Sequence, residues 1–530
     1  SARTGAPAPA PAMDSPRRPA ASCPLGEVGG MVNAHPLALV KSIVDPIHGL
    51  VRMTRVEHEV MNHRVFQRLR RIKQNGLLHL VFPSATHNRF EHSLGALFVA
   101  DSVLQALLFN SVANAGKLHD GDPEDAPRGR AVDITRLSPE TTAQLFTVTR
   151  LAALVHDLGH GPLSHSFDSF APARRTIEGL LGEPALAPLA PLRDTLLDAH
   201  ARTPGDRTEP IAHEAMSCIF FAKIWDDLRR ARSDLEPWLP QAVAAALLGA
   251  EAPAVPCALR PWLSLVSDIV ASAPVDADRM DYMERDSRSA GVSYGLFDRH
   301  RILKSALCYR ADVPGRLAFR LGWKSSGLRA IEVFVQARFQ LYAQIYYHKT
   351  NSAANLMLRR IAGAARTLPT NPLFHDVPHL DALVDAYCDL SDERFMRRLV
   401  DLTSAPEIQT LAERIEQRDL FKRLHEARTE GDAVAMKERL VAMDPGLAEH
   451  LEPDTSKLDA TKDLDVGAAL LQRDKDNRYT AVGERNDWLA ASPMLRALKD
   501  EERRIERLYW SGPSSDLAEL KERARVLAGG

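Results

Sequence analysis

Several things are scarce in this chain of 530 residues. Its five cysteines, Cys23, Cys218, Cys257, Cys308 and Cys388, stand far apart with no CxxC pair. That excludes a disulfide framework and points to a reducing compartment, so a cytoplasmic protein is expected. Excess charge is also missing: 67 Lys+Arg against 69 Asp+Glu leave a net −2. Such a balance argues against a dedicated nucleic-acid binder, and nucleic acid is not a predicted partner. No uninterrupted apolar run approaches 20 residues, so no membrane span is expected. Strand patterns are thin, with Ala306–Arg310 and 317–321 forming at most one small hairpin. A hydrophobic share of 45% with 26% charged excludes a wholly disordered, collagenous or coiled-coil chain.

What remains is mostly helical. Residues 1–30 hold six prolines and seven alanines and read as a disordered extension without the apolar core of a signal peptide. Apolar spacing predicts one helix face over 66–78 and a helix after the cap candidates Ser84 and Thr86. An exposed loop is expected over 113–132. Ser138-Pro139-Glu140 starts a helix that runs to the Gly159/Gly161-Pro162 break. A helix opened near Pro274 ends near Gly291, and a long one covers 328–367. Beyond Pro369 the chain reads as charged and helical, with a loop near 453–465. The fold class expected is mainly α, with a core over 31–425 and a charged helical C-terminal subdomain over 426–530.

Four strings carry chemistry. In Leu154-Val-His156-Asp157-Leu-Gly-His160-Gly-Pro-Leu-Ser-His165-Ser-Phe-Asp168, imidazole and carboxylate are adjacent at a helix end, and two histidines follow on a broken turn. Neighbours on a helix point about 100° apart, so His156 and Asp157 grip an ion from one side only. Other helices must close the sphere. A lone His-Asp pair is more often a capped helix end; three histidines in ten residues reverse that. Arg89 and His92 share a helix face at i,i+3, where one suits an anion and the other a metal, although an ion pair with Glu91 is the bland alternative. Asp278, Tyr282 and Asp286 recur every four residues on one face, which fits a ligand-binding face or a solvated one. Arg338, Tyr342, Tyr346 and Lys349 fall within about 80° of arc. Aromatic stripes are usually core, but the cations framing this one place it beside a polar cavity.

His92, His156-Asp157 and Asp278 reproduce the H…HD…D order of the HD phosphohydrolases. Asp45-Pro-Ile-His-Gly49, Phe66-Gln-Arg-Leu-Arg70-Arg-Ile-Lys-Gln74, His87-Asn-Arg-Phe-Glu-His-Ser-Leu-Gly95 and His156-Asp-Leu-Gly-His-Gly-Pro162 resemble one branch, the deoxynucleoside triphosphate triphosphohydrolases. The likeness spans about 40–424, and no SAM domain is expected before it.

The resemblance implies a helical domain with one or two metal ions, water attack at the α-phosphorus of a dNTP, and tripolyphosphate leaving whole. His92, His156, Asp157 and Asp278 would hold the metal, and Mn, Mg, Fe and Zn all suit this N/O set. Arg89, His160, His165, Arg279, Tyr282 and Arg338 resemble phosphate contacts. His165 would protonate the leaving 5′-oxygen, while His213 aligns with a second site histidine oriented by Asp168. Gln74, Asp286 and Tyr346 resemble residues around sugar and base. Lys41, Arg70, His348 and Lys349 match positions that bind activator nucleotides between subunits, so a homo-oligomer (dimer, tetramer or hexamer) is expected.

The departures matter. Arg279 replaces a Lys, Tyr347 a Gln and Asn75 a Leu, while Val44 replaces a polar residue. Asn62 replaces the Asp that reads guanine, offering one acceptor and a mismatched donor, which weakens the case for guanine-nucleotide activation. Alternatives from the residues alone are hydrolysis of another nucleotide or phosphate ester, or a non-catalytic module that senses nucleotide or binds nucleic acid.

Overall fold

Three helices built around one apolar core decide the architecture. The first, Arg89–Ala113, is capped by Asn88, whose side chain accepts from the Glu91 amide at 3.1 Å. The expected caps at Ser84 and Thr86 lie instead in tight turns, because Asn88 is extended and pairs with Lys73. This helix is long and apolar enough to cross a membrane, yet 61% of its most apolar window is buried inside the protein. It is a core helix, apolar nearly all round. The second, Pro139–Val155, starts as expected: Ser138 Oγ accepts from the Thr141 amide at 3.0 Å and Pro139 takes the first helical position. The third, Ala277–Ala290, is capped by Asp276 and ends at Gly291, whose φ of +72° favours glycine. Both other helices pack on the first.

This computed structural model describes residues 35–272, 275–311, 313, 315–368, 373–374, 377–458, 469–482, 488–500 and 503–529. The extension expected over 1–30 and Pro274 lie outside them. The mainly α class is observed, accompanied by a few small sheets. An N-terminal hairpin pairs Lys41–Asp45 with Gly49–Met53. Its tight turn forms because Asp45 Oδ1 accepts from the amides of Ile47 and His48 at 2.8 and 2.9 Å.

The expected hairpin at Ala306–Arg310 and Phe319–Lys324 is present, but inside a five-stranded sheet. Strands Ala131–Val132, Ala469–Arg473 and Tyr479–Ala481 complete it. Lys422–Ala427, Arg503–Trp510 and Leu451–Leu458 form a second, antiparallel sheet where charged helices and a loop were expected. Its apolar side, including Leu451, Leu508 and Trp510, is buried against the helices Asp432–Met443 and Leu517–Gly529. The other side is covered too, with Arg507 and Tyr509 buried, so charged residues stand among the apolar ones on both faces and the period-2 pattern is lost.

Two expected helices are broken. Over 66–78 there is a short helix, Arg64–Gln67, a tighter turn, Arg68–Arg71, an extended Ile72 and another tight turn, Gly76–Leu80. Gly76 has φ +51°, and a Cβ there would sit 2.8 Å from the Leu163 carbonyl oxygen, so the chain turns where another loop presses on it. The helix expected over 328–367 is Leu328–Leu341 followed by a wide turn, Tyr342–Tyr346, and then Lys349–Arg366. The wide turn closes when the Tyr347 amide donates to Tyr342 at 2.9 Å, and the His348 ring caps the next helix. Wide turns of this kind recur at functional sites.

Arg150 ties these pieces together. Its side chain is 1% exposed and meets Glu57 Oε1 at 2.7 Å, Asp101 Oδ1 at 2.5 Å and the Arg52 carbonyl at 2.8 Å. Glu57 belongs to the capping box at Thr54, and Asp101 also accepts from His35 at 2.8 Å. Arg150→Ala strands two carboxylates beside a void. It is expected to lower unfolding free energy by about 3–5 kcal/mol in urea denaturation. Burial raises the Asp101 carboxyl, but His35 and Arg150 hold it below its ordinary 3.8. That contribution is present above the unfolded value and lost as pH falls through the folded one. The variant should therefore lose less stability than the parent on acidification.

Candidate metal centre and adjoining pocket

The three core helices bring their ends to one point. His92 lies in the first turn of Arg89–Ala113, His156 and Asp157 directly follow Pro139–Val155, and Asp278 lies in the first turn of Ala277–Ala290. His92 Nε2 is 3.2 Å from His156 Nε2, 3.0 Å from Asp278 Oδ1 and 3.3 Å from Asp157 Oδ2. His156 Nε2 is 3.5 Å from both carboxylates.

The tautomers fit a cation. His92 Nδ1 donates to Asp281 Oδ2 at 2.7 Å, and His156 Nδ1 donates to the Ala153 carbonyl at 2.8 Å. Both Nε2 lone pairs are thereby turned on the shared point, the arrangement that metal-ligating histidines adopt. Burial lowers the pKa of His92, but Asp157, Asp278 and Asp281 raise it well above the ordinary value. The cluster calls for positive charge.

Asp281 was missed from sequence, although it stands three residues after Asp278. The spacing of four singled out Tyr282 instead. Its side chain is fully buried and holds Arg285 through both oxygens at 2.9 Å and His48 Nε2 at 2.5 Å. Arg285 in turn pairs with Asp45 at 2.9 Å. The string Asp45-Pro-Ile-His-Gly49 thus positions Asp281 and through it His92. Gly95 makes room, since a Cβ there would fall 1.8 Å from Asp281 Oδ1.

Arg68 fastens the turn after the metal helix. It is buried, donates to the His160 carbonyl at 2.6 Å and to the Leu158 carbonyl, and burial lowers its pKa to about 10. Leu163 and Ser164 follow with φ of 60° and 56°, consecutive left-handed residues that cost strain. Ser164 Oγ donates to the Lys73 carbonyl at 2.6 Å and the Leu163 amide donates to Asp392 at 2.8 Å, which holds them there.

A pocket of about 450 Å³ adjoins, and among its walls are Gln74, Arg89, His165, Tyr282, Asp286 and Tyr346. The structure thus brings six sequence-predicted residues together. Tyr346 donates to Asp286 Oδ2 at 2.5 Å, and His87 donates to the other oxygen at 2.7 Å. Arg89 pairs with Asp157 and reaches Ser164 Oγ at 3.0 Å. Arg279 pairs with the cap Asp276, while Arg338 lies 5.4 Å over Tyr342, a pocket wall. The predicted stripe splits at its end: Lys349 and His348 line another cavity of about 400 Å³. Lys41 is exposed on the hairpin, and Arg70 stacks on Phe90 at 3.5 Å.

His160, His165, Asp168 and His213 also gather, with one donor atom from each inside a 4.8 Å span. His160 stacks on His213 at 3.7 Å, and Asp168 Oδ2 lies 3.5 Å from His165 Nδ1 and 3.8 Å from His213 Nδ1. Burial holds His160 and His213 well below the ordinary imidazole value, so both stay neutral near pH 7. His165 is 71% exposed.

A helical core presenting two histidines and two aspartates from three helix ends could hold a metal ion, and its relatives are HD-domain hydrolases, which supports a phosphohydrolase enzyme. A family model described as "HD associated region" matches residues 316–509. The uncharacterized protein YwfO of Bacillus subtilis is 30% identical over 62% of this chain and 56% of its own. The deoxynucleoside triphosphate triphosphohydrolase SAMHD1 of Homo sapiens is 26% identical over 75% of this chain and 57% of its own. The chain thus spans under three fifths of those relatives. A hypothetical protein from Aquifex aeolicus, solved by crystallography, shares the fold, with TM-score 0.59 and 23% identity over 92% of this chain and 99% of that one. These matches support an HD-domain, dNTPase-like family for this chain.

Asp281→Asn removes the charge and one of the two acceptor oxygens that hold His92, His48 and Arg285 and should weaken divalent-metal binding about 10- to 100-fold. Isothermal titration with Mn on the folded variant measures it; unchanged affinity removes Asp281 from the centre. Gly95→Ala, which displaces Asp281, should weaken binding in the same direction.

Proposed function

We propose that the protein hydrolyses deoxynucleoside triphosphates to deoxynucleoside and tripolyphosphate by water attack at the α-phosphorus. The observation that carries the reading is the four-residue donor set beside a pocket of about 450 Å³, a volume that suits a nucleoside. Relatives bearing the name deoxynucleoside triphosphate triphosphohydrolase, at 26% identity, support it. A divalent ion on His92, His156, Asp157 and Asp278 would neutralise phosphoryl charge and lower the pKa of water.

The chain's own side chains do the rest. Arg89 stands between the donor set and the pocket, bonded to Asp157 on one side and 3.5 Å from the Gln74 carbonyl on the other. It therefore sits where the α-phosphate meets the sugar. Arg279 and Arg338 continue the cationic side for the remaining phosphates, and the Tyr282 phenol offers them a hydrogen bond. Gln74 Oε1, buried and without a partner, is an acceptor for a sugar hydroxyl, and Tyr346, fixed by Asp286, forms the facing wall. His165 at the rim protonates the leaving 5′-oxygen while Asp168 orients its ring and His213 backs them.

A homo-oligomer linked by nucleotide belongs to the same reading. His348 and Lys349 share their cavity with Arg423, Arg428 and Arg507, which suits a phosphate. Asn62 hydrogen-bonds the His58 ring instead of standing as a guanine reader, so hydrolysis should proceed without GTP.

Each dNTP incubated with Mn or Mg, with and without GTP, should give equimolar deoxynucleoside and tripolyphosphate by anion-exchange chromatography. Orthophosphate or pyrophosphate as the primary product overturns the reaction assigned. Asp157→Ala is expected to lower kcat at least about a thousandfold, and His165→Asn by about 10²- to 10⁴-fold. Full turnover in Asp157→Ala would remove the metal assignment.

A further inference from the structure

The series of imidazoles and carboxylates does not end at His213. His213 Nε2 lies 3.4 Å from Glu214 Oε1, and His200 Nε2 lies 3.3 Å from that same oxygen. On the other side, Asp168 faces both His213 and His165. Bases and acids therefore alternate in the order His165, Asp168, His213, Glu214, His200.

The two ends open into different spaces. His165 lines the nucleoside-sized pocket, whereas Asp168, His213, Glu214 and His200 line a second cavity of about 520 Å³ with no wall residue in common. His200 is 67% exposed there and has φ +50°, one of few non-glycine residues held in the left-handed region. A strained backbone that aims a ring at a half-buried carboxylate is the kind of outlier that accompanies function. Burial raises the Glu214 carboxyl above its ordinary value, Asp168 raises it further, and His200 and His165 lower it. The second cavity's other charges are Arg174, paired with Glu209 at 2.8 Å, and the exposed Arg202 and Arg366.

We propose that Glu214 and His200 form a proton relay that returns a proton to His165 from the second cavity while substrate covers the first. This rests on the reading of His165 as the acid. As the Pα–O5′ bond breaks, its electron pair stays on the 5′-oxygen, which takes the proton of His165. The proton lost by the attacking water leaves to solvent as the new phosphate oxygen ionises. His165 then turns its bare nitrogen to Asp168, and a solvent proton entering at His200 passes through Glu214 and His213. One proton enters for each one lost, and no oxidant or reductant is needed. The separations of 3.3 to 3.8 Å close by ring rotation or through one water each.

Glu214 and His200 are positioning residues, so the test separates proton supply from structure. In Glu214→Gln and the surface variant His200→Ala, first-turnover rate should match the parent. Steady-state kcat should fall about tenfold, and added imidazole should restore it in His200→Ala. Equal losses in both phases, no loss, or a loss that imidazole leaves untouched overturns the relay. Independently of turnover, NMR of histidine-labelled protein should show the His213 ring proton exchanging about tenfold more slowly in Glu214→Gln. Unchanged exchange also overturns the relay. Absence of nucleotide hydrolysis by the parent instead defeats the function proposed above, and the exchange measurement still decides the relay.

Discussion

Three carboxylates crowd one buried imidazole at the centre of this protein, and most of the architecture serves to keep them there. His92 meets Asp157 and Asp278 at Nε2 and Asp281 at Nδ1. Like charges at that density repel unless cations are set among them, and the chain supplies Arg89 and Arg285. Asp157 follows one helix, Asp278 and Asp281 belong to a second and His92 to a third, so the core helices cannot slide past one another without parting an acid from its partner. The N-terminal hairpin adds a fourth anchor through His48 and Asp45. Packing and electrostatics specify the same arrangement, which is how a fold comes to have one answer.

How much of this the sequence discloses depends on whether the cause is local. The Ser138 cap, the Gly291 stop and the meeting of His92, His156, Asp157 and Asp278 were legible, because caps and motif order are written in neighbouring residues. The break at Gly76 was not, since its cause is the Leu163 carbonyl, some ninety positions away along the chain. Asp281 was hidden by the same limit: its partners His48 and Arg285 belong to strings that look unrelated until the hairpin docks. The C-terminal strands were lost because their sheet is covered on both faces, with Glu506 and Arg507 buried among its apolar residues, so no polar-apolar alternation marks them. Glu214 and His200 gave no signal at all, being ordinary polar residues until folding aligns them with His213.

The C-terminal sheet also changes what the pocket is. Asp454, Thr455, Ser456 and Lys457 of the strand Leu451–Leu458 form one of its walls. The sheet is held against the core by Arg507 donating to the Tyr347 carbonyl at 2.7 Å and by Tyr509 donating to the Lys349 carbonyl at 2.7 Å. Tyr347 returns a bond to the Lys457 carbonyl at 3.1 Å. The Tyr347 carbonyl that this docking uses follows directly on the wide turn Tyr342–Tyr346, so the helical core and the C-terminal part share one boundary at the pocket. A change in how the sheet seats is therefore a change in the shape of the pocket.

The apolar core helix carries a cost before the fold exists. Arg89–Ala113 leaves the ribosome well ahead of Ala277–Ala290, the helix that covers one side of it. At about 5–20 residues per second the gap between them takes roughly ten to thirty seconds. Throughout that interval a segment with the hydropathy of a membrane span lacks the cover of Ala277–Ala290. The nascent chain thus presents, for a time, an incompletely covered apolar surface. The late arrival of the aspartate-bearing helix both buries that surface and completes the ligand set, so the chain loses its resemblance to a membrane segment at the moment its metal centre can first form.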